Sequence, residues 1–189
     1  MSDKPSYLGL LNAIAVGEAG GEALFEAWAA ATPNDDVRAV LNTVALREGE
    51  HARQFTKRIN ELGYSVIPKD DPGLPDRVAM AERTDLTDCE KFERLGFTKA
   101  PAGETDIFSK FFQDVSMDIS TGELMGRYVA EERDTGRRLR ECYAIVSASA
   151  PSTNGTASLE ARLERIECAL AELAAAADKP KARVTAKKK

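Results

Sequence analysis

The sequence predicts an all-α protein: a four-helix bundle with a long crossover between two helical hairpins, followed by a C-terminal coiled-coil helix. Three observations carry this reading. Two long stretches near the N-terminus repeat at steps of three and four: Tyr7, Leu11, Ile14, Glu18, Gly21, Phe25, Trp28, and then Leu41, Val44, Glu48, His51, Phe55 and Leu62. Such steps keep residues on one helical face. The same spacing returns at Tyr128, Glu132, Thr135 and Leu139, after a stretch rich in Pro and Asp.

The first helix is expected from Ser6, as N-cap, to Ala31. Thr32-Pro33-Asn34-Asp35-Asp36 reads as the next helix start, with Thr32 as N-cap, Pro in the first turn and acids facing the dipole. That second helix continues to Leu62, where Gly63 stops it. So short a turn makes the two helices antiparallel neighbours, with Glu18 and Glu48 at one level of the hairpin.

Residues 64–103 read as the crossover, with Pro68, Asp70, Asp71, Pro72, Pro75 and Asp76. One short helix is expected inside it, because Thr87-Asp88-Cys89-Glu90 has capping-box spacing before Phe92 and Leu95, and Gly96 ends it. A third bundle helix is expected from Thr105 to Met117, carrying Phe108, Phe111, Phe112 and Val115. Ser120-Thr121-Gly122-Glu123 reads as a second capping box, opening a fourth helix that reaches Val146. The bundle domain is thus assigned to residues 1–148.

Residues 149–189 are assigned to a linker, a short coiled-coil helix and a basic tail. Pro151 and Asn154-Gly155 mark the linker. Leu159, Leu163, Ile166, Leu170 and Leu173 alternate steps of four and three, the seam of a coiled coil. A seam so narrow implies a second helix, hence an oligomer. From Asp178 to Lys189 there are six basic residues and one acid, net +5, which leaves −10 of the total −5 on the rest of the chain. A tail of that sign suits an acidic partner or nucleic acid through charge alone.

The chain is 189 residues long, which suits one domain plus an appendage. No uninterrupted apolar run of membrane-spanning length and no signal-peptide pattern are read, so a cytoplasmic location and no membrane partner are expected. Cys89, Cys142 and Cys168 are odd in number and scattered, which points away from a disulfide framework and from a C-x-x-C metal knuckle. Cys142 falls on the apolar stripe of the fourth helix and is expected in the core.

The polar residues inside the stripes carry the chemistry. Glu18 interrupts the first stripe, and Glu48-x-x-His51 interrupts the second, so all three point to one interior. Buried carboxylates are costly without a partner or a metal. A Glu facing a Glu-x-x-His is half of a carboxylate-bridged di-metal site in a bundle. On the fourth helix Glu132 takes the place of Glu48, and Thr135 stands where a second His would be. Glu104, near the start of the third helix, is the remaining candidate ligand. The alternative is a vestigial site, in which His51 hydrogen-bonds a carboxylate and fixes helix register. Glu22, Glu26, Glu131 and Asp134 are expected at the surface, the last two paired with Arg127 and Arg138.

These residues give the chain a resemblance to the ferritin-like superfamily, of rubrerythrin type, over residues 6–146. In that group one helix supplies a Glu and the next a Glu-x-x-His about thirty residues later, as Glu18, Glu48 and His51 do here. The resemblance implies a ferritin-like topology and an iron (di-iron) or manganese site. It further implies a ferroxidase or a peroxide-scavenging oxidase. The second half departs from the pattern at Thr135, and no rubredoxin-like cysteine centre is present. A non-catalytic helical scaffold or binding protein is the competing function.

Overall fold

The computed structural model describes residues 4–98 and 112–149, which form five helices and, among the described residues, no strand. The helices are α1 (Leu8–Ala31), α2 (Asp35–Glu61), α3 (Leu74–Glu82), α4 (Asp88–Leu95) and α5 (Ile119–Ser149). The protein is all-α, as its periodicity implies.

The helix ends use different oxygens from those the spacing suggests. Ser6 does not cap α1. Its hydroxyl turns to Asp114 and to Ser116 Oγ, 3.2 Å away, and Tyr7 occupies the cap position with no side-chain bond. Thr32 does not cap α2 either. Asn34 does, its Oδ1 accepting from the backbone N–H groups of Asp36 (3.0 Å) and Val37 (3.2 Å). The Thr32 hydroxyl is committed elsewhere, donating to Asp88 Oδ2 at 2.6 Å, while Trp28 Nε1 donates to Asp88 Oδ1 at 2.8 Å. The α1–α2 turn is thereby fastened to the start of α4. At the far end of α2, Gly63 adopts a left-handed φ of +83° and stops the helix where expected.

Two helices, not one, lie in the described part of the segment expected as a crossover, residues 64–98. α4 has the anticipated capping box between Thr87 and Glu90, and Gly96 ends it at φ +82°. α3 is unanticipated. Its Pro75 sits in the first turn, where a missing N–H costs nothing, and its Ala81 is fully buried. The composition that reads as loop is therefore a helix start.

The expected third bundle helix is not found where it can be seen. Residues 113–118 are not helical and Val115 is 100% exposed, so it shares no buried face with Phe112. The rest of that expected helix, with Phe108 and Phe111, and the candidate ligand Glu104 before it lie outside the described residues. The helix expected as the fourth of the bundle is α5, which begins one residue before Ser120. Asp118 caps it, accepting from the Thr121 N–H (3.0 Å) and hydroxyl (2.7 Å), and it also receives the Tyr7 hydroxyl and the Arg58 guanidinium at 2.7 Å each. The proposed capping box at Ser120 is thus displaced by a better acceptor. The coiled-coil segment, Cys168 and the basic tail also lie outside the described residues.

The core has two apolar clusters along α1, α2 and α5. One gathers Leu24, Phe25, Trp28, Leu41, Val44 and Leu139, with Phe92 of α4 and the buried Cys142. The other gathers Leu11, Ile14, Phe55, Ile59, Met125 and Tyr128. On each long helix the members of the two clusters are separated by one polar segment, holding Glu18, Glu48 with His51, and Glu132. The site is a polar layer between two hydrophobic ones. α1 is long and apolar enough to cross a membrane by length and composition, a property that the buried core helix of a soluble protein shares.

Candidate metal centre

Three long helices place the candidate ligands by periodicity alone. Every stripe residue from Tyr7 to Trp28 except the half-buried Gly21 is buried, as are Leu41, Val44, Glu48, His51 and Phe55, while Leu62 is half-buried. Glu48 is 8% exposed and His51 is 1% exposed, so both have left water. Glu18, His51 and Glu132 each offer a ligand atom, and these atoms all lie within 4.8 Å of one another. His51 Nδ1 is 3.1 Å from Glu18 Oε2 and 3.5 Å from Glu132 Oε1.

Glu48 completes the cluster from α2. Its carboxylate lies in a notch on α1: an ideal Cβ at Gly21 would be 2.3 Å from Glu48 Oε2. Burial first, and then the negative charges of Glu18 and Glu132, push the Glu48 carboxyl up to about 9 from its ordinary 4.5. Without a cation, Glu48 holds its proton at neutral pH.

His51 responds in the opposite sense. Burial alone would lower its pKa, but the acceptors Glu132, Glu18 and Glu131 outweigh that and raise it to about 10. The imidazole is a cation held among carboxylates. Its Nε2 bonds Glu131 Oε2 at 2.8 Å, and Glu131 Oε1 accepts from Arg127 Nε at 2.9 Å. Burial opposes ionisation of Glu131, yet His51 and Arg127 hold its pKa below the ordinary value. Tyr128 closes the other flank, donating its hydroxyl to Glu18 Oε1 at 2.8 Å with its ring edge-on to His51.

Glu131 was expected at the surface with Arg127. The Arg127 pair is present, but the second carboxylate oxygen reaches inward to His51. Periodicity does not single it out, because Glu131 sits about 100° around the helix from Glu132. Asp134 keeps its expected pairing with Arg138 (2.6 Å) and also takes Arg47 at 2.8 Å. Thr135 is buried beside the cluster, its hydroxyl accepting from Arg47 Nη1 at 3.3 Å. Glu26 is exposed, whereas Glu22 is half-buried over Gly49 and pairs with Arg53 at 3.2 Å.

No protein-family model, curated protein or solved structure matches this chain. The centre is therefore read from its own geometry.

That geometry fits a metal ion. Among the described residues, Glu132 Oε1 is the one buried side-chain oxygen or nitrogen with no hydrogen-bond partner. Glu132 Oε1 makes no hydrogen bond and only a 3.5 Å ion pair with His51 Nδ1, and with the Glu18 carboxylate and that nitrogen it forms a donor set that could hold a metal ion in place of the imidazolium proton. Hard carboxylate oxygens with one imidazole suit Fe(II) or Mn(II) more than a soft metal. Glu131 meets the usual need of a ligating imidazole for an acceptor on its other nitrogen, which fixes the tautomer.

Proposed function

We propose that the chain is an iron- or manganese-binding helical protein of ferritin-like, rubrerythrin type. Glu18, His51 through Nδ1, Glu48 and Glu132 hold the ion, and Glu104 is a further candidate ligand. The observation that carries this reading is the buried Glu132 Oε1, which makes no hydrogen bond, converging with Glu18 and His51 on one point. Such an ion, when bound, supplies a Lewis acid and a redox couple toward dioxygen or peroxide, the basis of ferroxidase or peroxide-scavenging activity. The chain's own residues orient His51 through Glu131 and hold two protons that a cation displaces, one on Glu48 and one on His51.

One observation supports a second reading, a non-catalytic helical scaffold with a vestigial site. Both His51 nitrogens and Glu18 already have partners, so the network persists without an ion. Anaerobic loading with Fe(II) or Mn(II), followed by elemental analysis, separates the two. About one or two ions per chain are expected, as in helical carboxylate centres. Glu48→Ala and His51→Ala should each lose most of the bound metal. Negligible metal in the wild-type chain would leave the scaffold as the function.

A further inference from the structure

The two sides of the candidate centre differ. On the His51 side, Phe55 is fully buried, the Tyr128 ring stands edge-on to both His51 and Phe55, and Glu131 blocks the far nitrogen. On the Glu48–Glu132 side a cleft of about 310 Å³ lies between α1, α3 and α5. Glu48, Glu132 and Thr135 line it at the centre, and Leu24, Leu74 and Leu139 supply apolar wall.

The space exists because α1 presents three glycines to it. Two of them are already used by neighbours: Gly21 receives Glu48, and Gly20 receives Leu74 of α3, whose Cδ2 would be 3.2 Å from an ideal Cβ. Gly17 is different. A Cβ built there meets nothing within 4 Å, so its part of the cleft is open.

We propose that this cleft binds a small molecule with an apolar body and one uncharged, oxygen-bearing head, and presents that head to the centre. The proposal rests on the metal reading for its purpose, though not for binding itself. The volume amounts to about ten waters at roughly 30 Å³ each, more than dioxygen or hydrogen peroxide needs. It lies at the lower end of ligand-binding cavities, about 300 Å³, which suits a body of a few carbons. An anionic head is disfavoured by the carboxylate of Glu132. Arg77, the cation in the wall, is already paired with Asp71 at 2.6 Å. An uncharged head meets a donor, because the Thr135 hydroxyl accepts from Arg47 and retains its own proton to give.

The test uses the full chain and a series of 1-alkanols from methanol to hexanol, which need no metal to bind. The methyl resonances of Leu24, Leu74 and Leu139 are the readout. Affinity should rise about fourfold per methylene, the transfer value for a buried CH₂, with shifts confined to those side chains. Gly17→Phe, which fills open space, should abolish the chain-length gain while Co(II) uptake stays at the wild-type level. Gly17→Val gives the same reading with a smaller plug should the larger one perturb folding. Affinity flat along the series, or a chain-length gain intact in folded Gly17 variants, overturns the proposal. Alkanol binding as described in a chain that takes up no Co(II) keeps the cleft and removes the metal reading instead.

Discussion

At the residue scale, Glu18, Glu48, His51 and Glu132, the candidate ligands among the described residues, were legible because each breaks an apolar stripe at a core position. Burial then follows from the helix, and proximity follows from the short α1–α2 turn. Glu131 was not legible, since its inward oxygen depends on how far α5 rotates against α2, which no single stripe encodes. Gly21 was visible on the stripe, but only the structure shows that its missing side chain makes room for Glu48. Gly21→Ala should therefore act through Glu48. An interior helical Ala is favoured over Gly by about 0.5–1 kcal/mol, so in a Glu48→Ala background the change should be neutral or stabilising. With Glu48 present, the carboxylate must leave its notch, and metal affinity should fall roughly tenfold, about 1.4 kcal/mol. Calorimetric Mn(II) titrations of the two single variants and the double variant measure this coupling. Wild-type affinity in Gly21→Ala would show that the notch does not position Glu48.

At the element scale, the long helices α1, α2 and α5 and the stops at Ala31 and Gly63 match the expectation, whereas the N-caps of the long helices do not. Stripes report burial summed over many residues, whereas a cap is decided by which of several nearby oxygens has the better donor. Thr32, Asn34 and Asp88 illustrate the competition. Thr32 is drawn to Asp88, which leaves Asn34 to satisfy the first N–H groups of α2. Asn34→Ala should then lower stability by about 1 kcal/mol, the usual cost of an N-cap. Urea denaturation reads it directly, and no shift in midpoint would mean that α2 starts on other support. α3 was missed for a related reason, because Pro75 and Asp76 are turn residues in composition and first-turn residues in place. The helix expected over Thr105–Met117 fails at 113–118, because Val115 stands in water and gives that stretch no face to bury.

At the scale of the whole molecule, the polar layer between two apolar clusters links protons, metal and folding. Glu48 is raised from 4.5 to about 9 and His51 from 6.5 to about 10 in the metal-free fold. Between those limits the folded chain holds more protons than the unfolded one, so stability must fall as pH rises. For Glu48 the contribution is full below about 4.5 and lost through 9. For His51 it is full below about 6.5 and lost through 10. A bound cation replaces both protons, so its stabilising effect should grow across the same window. At a concentration one hundred times its Kd, a ligand adds about 2.7 kcal/mol, which for a chain of this size raises Tm by roughly 5–10 °C. Thermal unfolding at pH 6, 7, 8 and 9, with and without saturating Mn(II), should show a falling Tm for the metal-free chain and a widening gap to the loaded one. Glu48→Gln removes one of the two titrating groups and should flatten the metal-free slope. A metal-free Tm that rises with pH over this range would mean that Glu48 is ionised in the fold, and that its charge is balanced by a group other than an incoming ion.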